Sequence, residues 1–135
     1  MTSMRPTAVA GLFYPDDAEQ LAAAVDADVA EGVRRSARAT DAPTRAPEPP
    51  KAPKALIVPH AGYVYSGAVA GTGYARILAR RGEIERVVLL GPAHRVALAG
   101  MAVPSVDAFA SPLGPVTIDD DARRVALACD GVVLH

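Results

Sequence analysis

Two unbroken apolar runs, Ala55-Leu56-Ile57-Val58 and Val87-Val88-Leu89-Leu90, constrain the fold more than any other feature of the chain. Each has strand length, and neither alternates apolar with polar residues, which is the pattern of a strand covered on both faces. Between them, Val69, Tyr74, Ile77 and Leu78 lay an apolar face along a helix predicted from about Ala68 to Arg81, with Gly82 closing it. Strand, helix and strand at this spacing predict a βαβ unit over 55–90 whose strands are parallel neighbours. The expected fold class is therefore α/β: a mostly parallel or mixed sheet flanked by helices.

Upstream, Asp16 stands three residues before Glu19 and reads as a capping box. Leu21, Val25, Val29 and Val33 follow at spacing four, so one stripe of the helix it opens is apolar, and Gly32 is its predicted stop. From Arg34 to Pro53 the pattern dissolves among Pro43, Pro47, Pro49, Pro50 and Pro53. Proline lacks the amide hydrogen that regular structure needs, so this stretch reads as an extended connection. Downstream, short strands are expected at Met101–Val103 and Val116–Ile118, with a loop from Phe109 to Pro115 between them. A helix runs from the acidic Asp119, Asp120 and Asp121 to about Cys129, and Val132 to Leu134 begin one more strand. The expected organisation is an N-terminal arm and helix (1–33) packed on the main domain, a Pro-rich linker (34–53), and an α/β domain (54–135).

A chain of 135 residues suits one domain. Half of it is apolar but only 4% aromatic, so its core must be built from Ala, Val, Leu and Ile. The net charge of −1, with no basic face, argues against nucleic acid as a partner. Cys129 is the sole cysteine, which excludes an internal disulfide and a Cys-pair zinc knuckle. No apolar run has signal-peptide or membrane-spanning length, so a cytoplasmic protein without a membrane partner is expected. The heavy use of Ala, Arg, Val and Pro hints at a GC-rich bacterial genome.

His60 and His94 each fall just after the carboxyl end of a predicted strand. Parallel neighbours lie ~4.8 Å apart, so the two loops would converge where open α/β sheets usually bind ligands. Gly62, Gly67 and Gly91 would let backbone approach closely, and Pro59 and Pro92 would stiffen the loops. From the residues alone, a metal-ligand pair and two ordinary loop histidines both stay open. A complete site also wants a third ligand. Tyr63 and Tyr65 either line the pocket or pack. Ser66 lacks the glycine that a nucleophile elbow needs where Val64 stands, so a turn or capping serine is expected. Cys129, among Ala and Leu, reads as a buried structural thiol. Gly71-Thr72-Gly73 lies inside a helix and is no phosphate-binding fingerprint.

Four blocks carry a resemblance: Gly11-Leu12-Phe13-Tyr14-Pro15, Pro59-His60-Ala61-Gly62-Tyr63-Val64-Tyr65-Ser66-Gly67, Leu90-Gly91-Pro92-Ala93-His94, and Ser111-Pro112-Leu113-Gly114. In this order they resemble the Memo-like proteins, whose bacterial members are called AmmeMemoRadiSam system protein B. That family is similar to the class III extradiol dioxygenases that use non-haem iron. The resemblance implies that His60 and His94 are its first two metal ligands, to Fe(II) or, as alternatives, copper or zinc. Gly62, Tyr63, Tyr65, Gly91 and Pro92 would line the pocket. Implied partners are a small-molecule or peptide ligand, and AMMECR-like and radical SAM proteins. Ala93 departs from the family's usual serine. The family's third ligand, a cysteine, and its His-Ser-(Leu or Ile)-Glu segment are expected beyond His135, and Cys129 comes too early to replace that cysteine. The first reading is thus an oxidoreductase-like metal domain, represented here by its N-terminal half. A ligand-binding module without redox chemistry and a metal-assisted hydrolase are the rivals. The half-domain alone is expected to be inactive and to self-associate.

Overall fold

The computed structural model of the chain describes residues 2–39 and 52–135. The part of the predicted linker from 40 to 51 lies outside the described residues. The chain divides into two compact units, Val9–Val87 and Met1–Ala8 with Val88–His135.

The first unit is a pair of helices. Helix α1 (Ala18–Ala39) is opened by Asp17, whose Oδ1 accepts the Gln20 amide at 2.9 Å. The cap thus falls one residue after the expected Asp16. Along the stripe, Leu21 is buried at 5% exposure, Val25 and Val29 are half-buried, and Val33 is out in solvent at 45%. A spacing of four overshoots the helical period by ~40° a step, so the third step leaves the packed face. Gly32 takes the buried place instead, and it does not end the helix, which runs on to Ala39. The predicted linker therefore begins as helix.

Glycine at 32 serves close packing. Helix α2 (Tyr63–Tyr74), continued by a 3-10 turn over Ala75–Arg80, lies against α1 through Gly67 and Gly71. A methyl on Gly32 would sit 2.5 Å from the Gly71 carbonyl carbon, and one on Gly67 would sit 2.8 Å from Asp28 Cγ. At Gly32 and Gly71 the neighbouring atoms are backbone, so the helices meet backbone to backbone there, while at Gly67 the neighbour is the Asp28 side chain. The helix starts five residues before the predicted Ala68. Gly62, its N-cap, offers no side-chain cap and hence no start signal.

The second unit carries the strands. β1 (Met4–Arg5) pairs in parallel with β3 (Ala108–Phe109), Met4 opposite Ala108. β3 pairs antiparallel with β4 (Val116–Thr117), Ala108 opposite Thr117. Ser111 and Gly114 close the turn between β3 and β4 by exchanging backbone hydrogen bonds of 3.1 and 2.9 Å. β2 (Met101–Val103) pairs in parallel with β5 (Val132–Leu134), and α3 (Asp120–Leu127) lies in the connection between them and touches both. Asp119 caps α3 by accepting the Ala122 amide at 3.0 Å, as the acidic start predicts. The Arg5 guanidinium lies 5.7 Å from the Phe109 ring centre. The α/β class and the mixed sheet are as expected.

The βαβ unit over 55–90 does not form. Among the described residues neither Ala55–Val58 nor Val87–Leu90 joins a ladder, although the intervening helix is present. In the first run Ile57 is fully exposed while Leu56 and Val58 are half-buried, and in the second Val88 and Leu89 are 84% and 85% exposed. An apolar run specifies burial on two faces only if neighbouring strands and covering layers exist, and these runs have neither here. Cys129 also departs from expectation. α3 ends at Leu127, and the thiol beyond it is exposed.

Candidate functional site

His60 stands on the exposed loop leading into α2. The first turn of a helix has four amides without intrahelical partners. Gly62, with φ −54° and ψ 149°, has no side chain to cap them. Its own carbonyl accepts the Tyr65 and Ser66 amides at 2.9 and 3.1 Å, and the Tyr63 amide is met from far away in the sequence by the Phe13 carbonyl at 2.7 Å. Ser66 is buried at 6% exposure, and its hydroxyl donates to the Ala61 carbonyl at 2.9 Å. The serine expected in a turn or at a cap lies inside α2 instead, and its bond reaches the residue after His60.

The two tyrosines part company. Tyr63 is half-buried, its ring tilted 49° against Tyr14 at 5.9 Å between centres. Burial pushes its hydroxyl pKa above the ordinary value, helped by Tyr74, Asp28 and Tyr14. Tyr65, one residue beyond Val64, is 86% exposed.

Gly91, Pro92 and His94 belong to the other unit, on an exposed stretch without regular structure. A methyl on Gly91 would meet nothing within 4 Å, so the close approach expected there is absent. At Gly62 a built Cβ would lie in ordinary contact, 3.4 Å from the Phe13 carbonyl oxygen, while at Gly67 it would run into the Asp28 side chain of α1. Because the predicted strand pair does not form, the two histidine loops lose the shared sheet edge that was to bring them together.

Imidazole suits iron, copper and zinc alike. The donor type fits such an ion and the donor number does not. Among the described residues no three His, Cys, Asp or Glu side chains gather closely enough to hold a metal. Asp119 and Asp107 have structural uses. Asp119 caps α3. Asp107 accepts the Ser3 amide at 2.7 Å and the Ser3 hydroxyl at 3.0 Å, and these bonds hold its pKa below the usual carboxylate value. Arg123 ties the same corner together through the Pro104 and Val106 carbonyls and Asp120. His135 continues the β2–β5 pairing, its amide on the Val103 carbonyl at 2.9 Å.

Each unit has a concavity, and neither is lined by a predicted site residue. A space of about 480 Å³ in the strand unit is bounded by Met4, Asp107, Thr117, Ile118 and Asp120. One of about 310 Å³ in the helical unit is apolar, between Val29, Tyr74, Ile77, Leu78 and Ile84. Among the described residues no helix is long and apolar enough to cross a membrane. The contact that sequence reasoning missed is Phe13. Its backbone carbonyl accepts the Tyr63 amide, a bond that no side-chain pattern reveals.

Comparison with known proteins bears on the four motif blocks. A family model described as Memo-like protein matches residues 5–132. A MEMO1 family protein of Ignicoccus hospitalis is 38% identical over 130 residues, covering 96% of this chain and 44% of that protein. Another from Aquifex aeolicus is 41% identical over 125 residues, covering 92% and 40%. The protein memo-1 homolog of Caenorhabditis elegans is 41% identical over 66 residues, 49% of this chain and 18% of that one. The chain spans less than half the length of these relatives. With the match running through almost every element described above, the chain belongs to the Memo-like protein family.

Proposed function

We propose that this chain contributes two imidazole ligands, His60 and His94, to a divalent-metal site in an oxidoreductase-like protein of the non-haem iron kind. Support comes from family membership over residues 5–132 and from the motif blocks that hold both histidines. The observation that carries the reading is the setting of His60. Its loop is exposed, yet the residues just after it are fastened by a local bond from Ser66 and by a distant one to Phe13. Such sites usually take a third protein ligand, which in this reading comes from the part of the family's length that these residues do not match. The chemistry the ion would supply is Lewis acidity and, for iron or copper, electron transfer at an open coordination position. A small molecule or peptide would be the ligand taken there.

Anaerobic calorimetric titration with Fe(II) tests the assignment. The parent chain should bind weakly. His60→Ala and His94→Ala should each lower affinity by more than about tenfold, since even groups that only orient a ligand are worth ~10–100-fold. Circular dichroism should show both variants folded like the parent. Parental affinity in either variant would refute the assignment.

A further inference from the structure

We infer that the turn Val9–Tyr14 is a positioning element for His60, holding the loop that carries it from one side while Ser66 holds it from the other. This rests on reading His60 as a ligand.

The turn is self-locked. The Gly11 amide donates to the Tyr14 carbonyl at 2.8 Å, and the Leu12 and Phe13 amides donate to the Val9 carbonyl at 3.1 and 2.9 Å. Gly11 has φ +76°, a conformation that glycine adopts without penalty and L side chains rarely enter. Locked in this way, the turn aims the Phe13 carbonyl at the Tyr63 amide, the first amide of α2. The bond does for α2 what an N-cap side chain does elsewhere, and Gly62 cannot. Packing of Tyr14 on Tyr63 adds an apolar contact beside it.

Ser66 works from within the helix. Its hydroxyl holds the Ala61 carbonyl at 2.9 Å, with a longer approach of 3.5 Å to the Gly62 carbonyl. The peptide just after His60 and the amide three residues on are therefore both pinned. Fixing a backbone residue costs conformational entropy whenever it happens, and a loop fixed at folding need not be fixed again when its ligand arrives. Gly11-Leu12-Phe13-Tyr14 thus has a place in the site without touching whatever binds there. Ser66 and Gly11 are positioning residues.

The test uses the whole chain with Zn(II) alone as the ion, and reads amide exchange by NMR beside affinity by calorimetry. In the metal-free parent, the Tyr63 amide should be protected from exchange as well as the Leu21 amide, which has its own partner at Asp17. A Tyr63 amide exchanging at the unprotected rate overturns the inference. Ser66→Ala and Gly11→Ala should each weaken Zn(II) binding by about fivefold or more, the scale of releasing one backbone residue. Ser66→Thr, which keeps the hydroxyl, should recover most of the loss. Protection at Tyr63 with Zn(II) affinity unchanged in Ser66→Ala would mean that the bonds serve the helix and not the histidine, and would also overturn it. If Gly11→Ala loses its helical signal, the parent exchange and the Ser66 pair still decide. Binding by His60→Ala as tight as the parent's would instead sink the ligand reading, while Tyr63 protection would still judge the clamp.

Discussion

Replacing Gly71 by alanine sets two effects against each other, and the structure says which is larger. Gly71 lies inside α2, where alanine is the better helix former by about 1 kcal/mol. A Cβ built there, however, would stand 2.5 Å from the carbonyl carbon of Asp28 and 3.1 Å from the amide nitrogen of Val29. Both are backbone atoms of α1, so no flexible side chain can move aside and the helices must separate. Overpacking of this kind costs ~1–3 kcal/mol, and rigid neighbours put it near the top of that range. The net expectation is a loss of about 2 kcal/mol. Gly73→Ala is the control. Its Cβ would meet only the Val58 side chain, 2.6 Å from Cγ1 and outside both helices, so the clash should cost less than at Gly71. Urea unfolding followed by the helical circular dichroism signal measures both. Gly71→Ala as stable as the parent, or Gly73→Ala costing as much as Gly71→Ala, would show that the helix contact is looser than described and the reasoning unsound.

Asp107 gives a pH dependence. Its folded pKa is held below the unfolded value of 3.8 by the Ser3 amide and hydroxyl, so its contribution is present above that value and lost as pH falls through the folded pKa. Acid unfolding curves should show this limb in the parent, and Asp107→Asn should flatten it. Asp119→Ala removes the cap of α3 and should cost ~1 kcal/mol, with faster exchange at the Ala122 amide it now holds; unchanged exchange there would contradict the cap. Cys129 is exposed, so one thiol per chain should react promptly with Ellman's reagent without denaturant, and a thiol that reacts only after unfolding would restore the buried reading.

The stripe at Leu21, Val25 and Val29 was legible in the sequence because helix periodicity is a local property. So was the acidic cap of α3, where Asp119 and its acceptor site lie within one turn. Gly32 misled because glycine has two meanings. It marks a helix end when the backbone must turn, and a close contact when a second helix needs the space, and the second helix lies elsewhere in the chain. The runs at 55–58 and 87–90 misled for a related reason. Strand formation needs a partner's backbone, and apolar character alone does not supply one. The start of α2 could not be read at all, since its first amide is met by the backbone carbonyl of Phe13, a group that every residue carries. Of the candidate site, the family blocks fixed which histidines to consider. No metal-holding group of three His, Cys, Asp or Glu forms among the described residues.

The bare run from Val87 to Leu90 has a consequence for how the chain behaves in a crowd of its own copies. It combines β-branched and aliphatic residues with no internal charge or proline, the makings of a segment that recruits its like into cross-β stacks. Its flanks oppose this. Glu85 and Arg86 bring charges that resist in-register stacking on one side. On the other, Gly91 offers no side chain to a zipper and Pro92 has no amide hydrogen to donate to a growing ladder. Gly91 and Pro92, first noticed for shaping the approach to His94, would thus also act as gatekeepers, confining the sticky part of the chain to four residues.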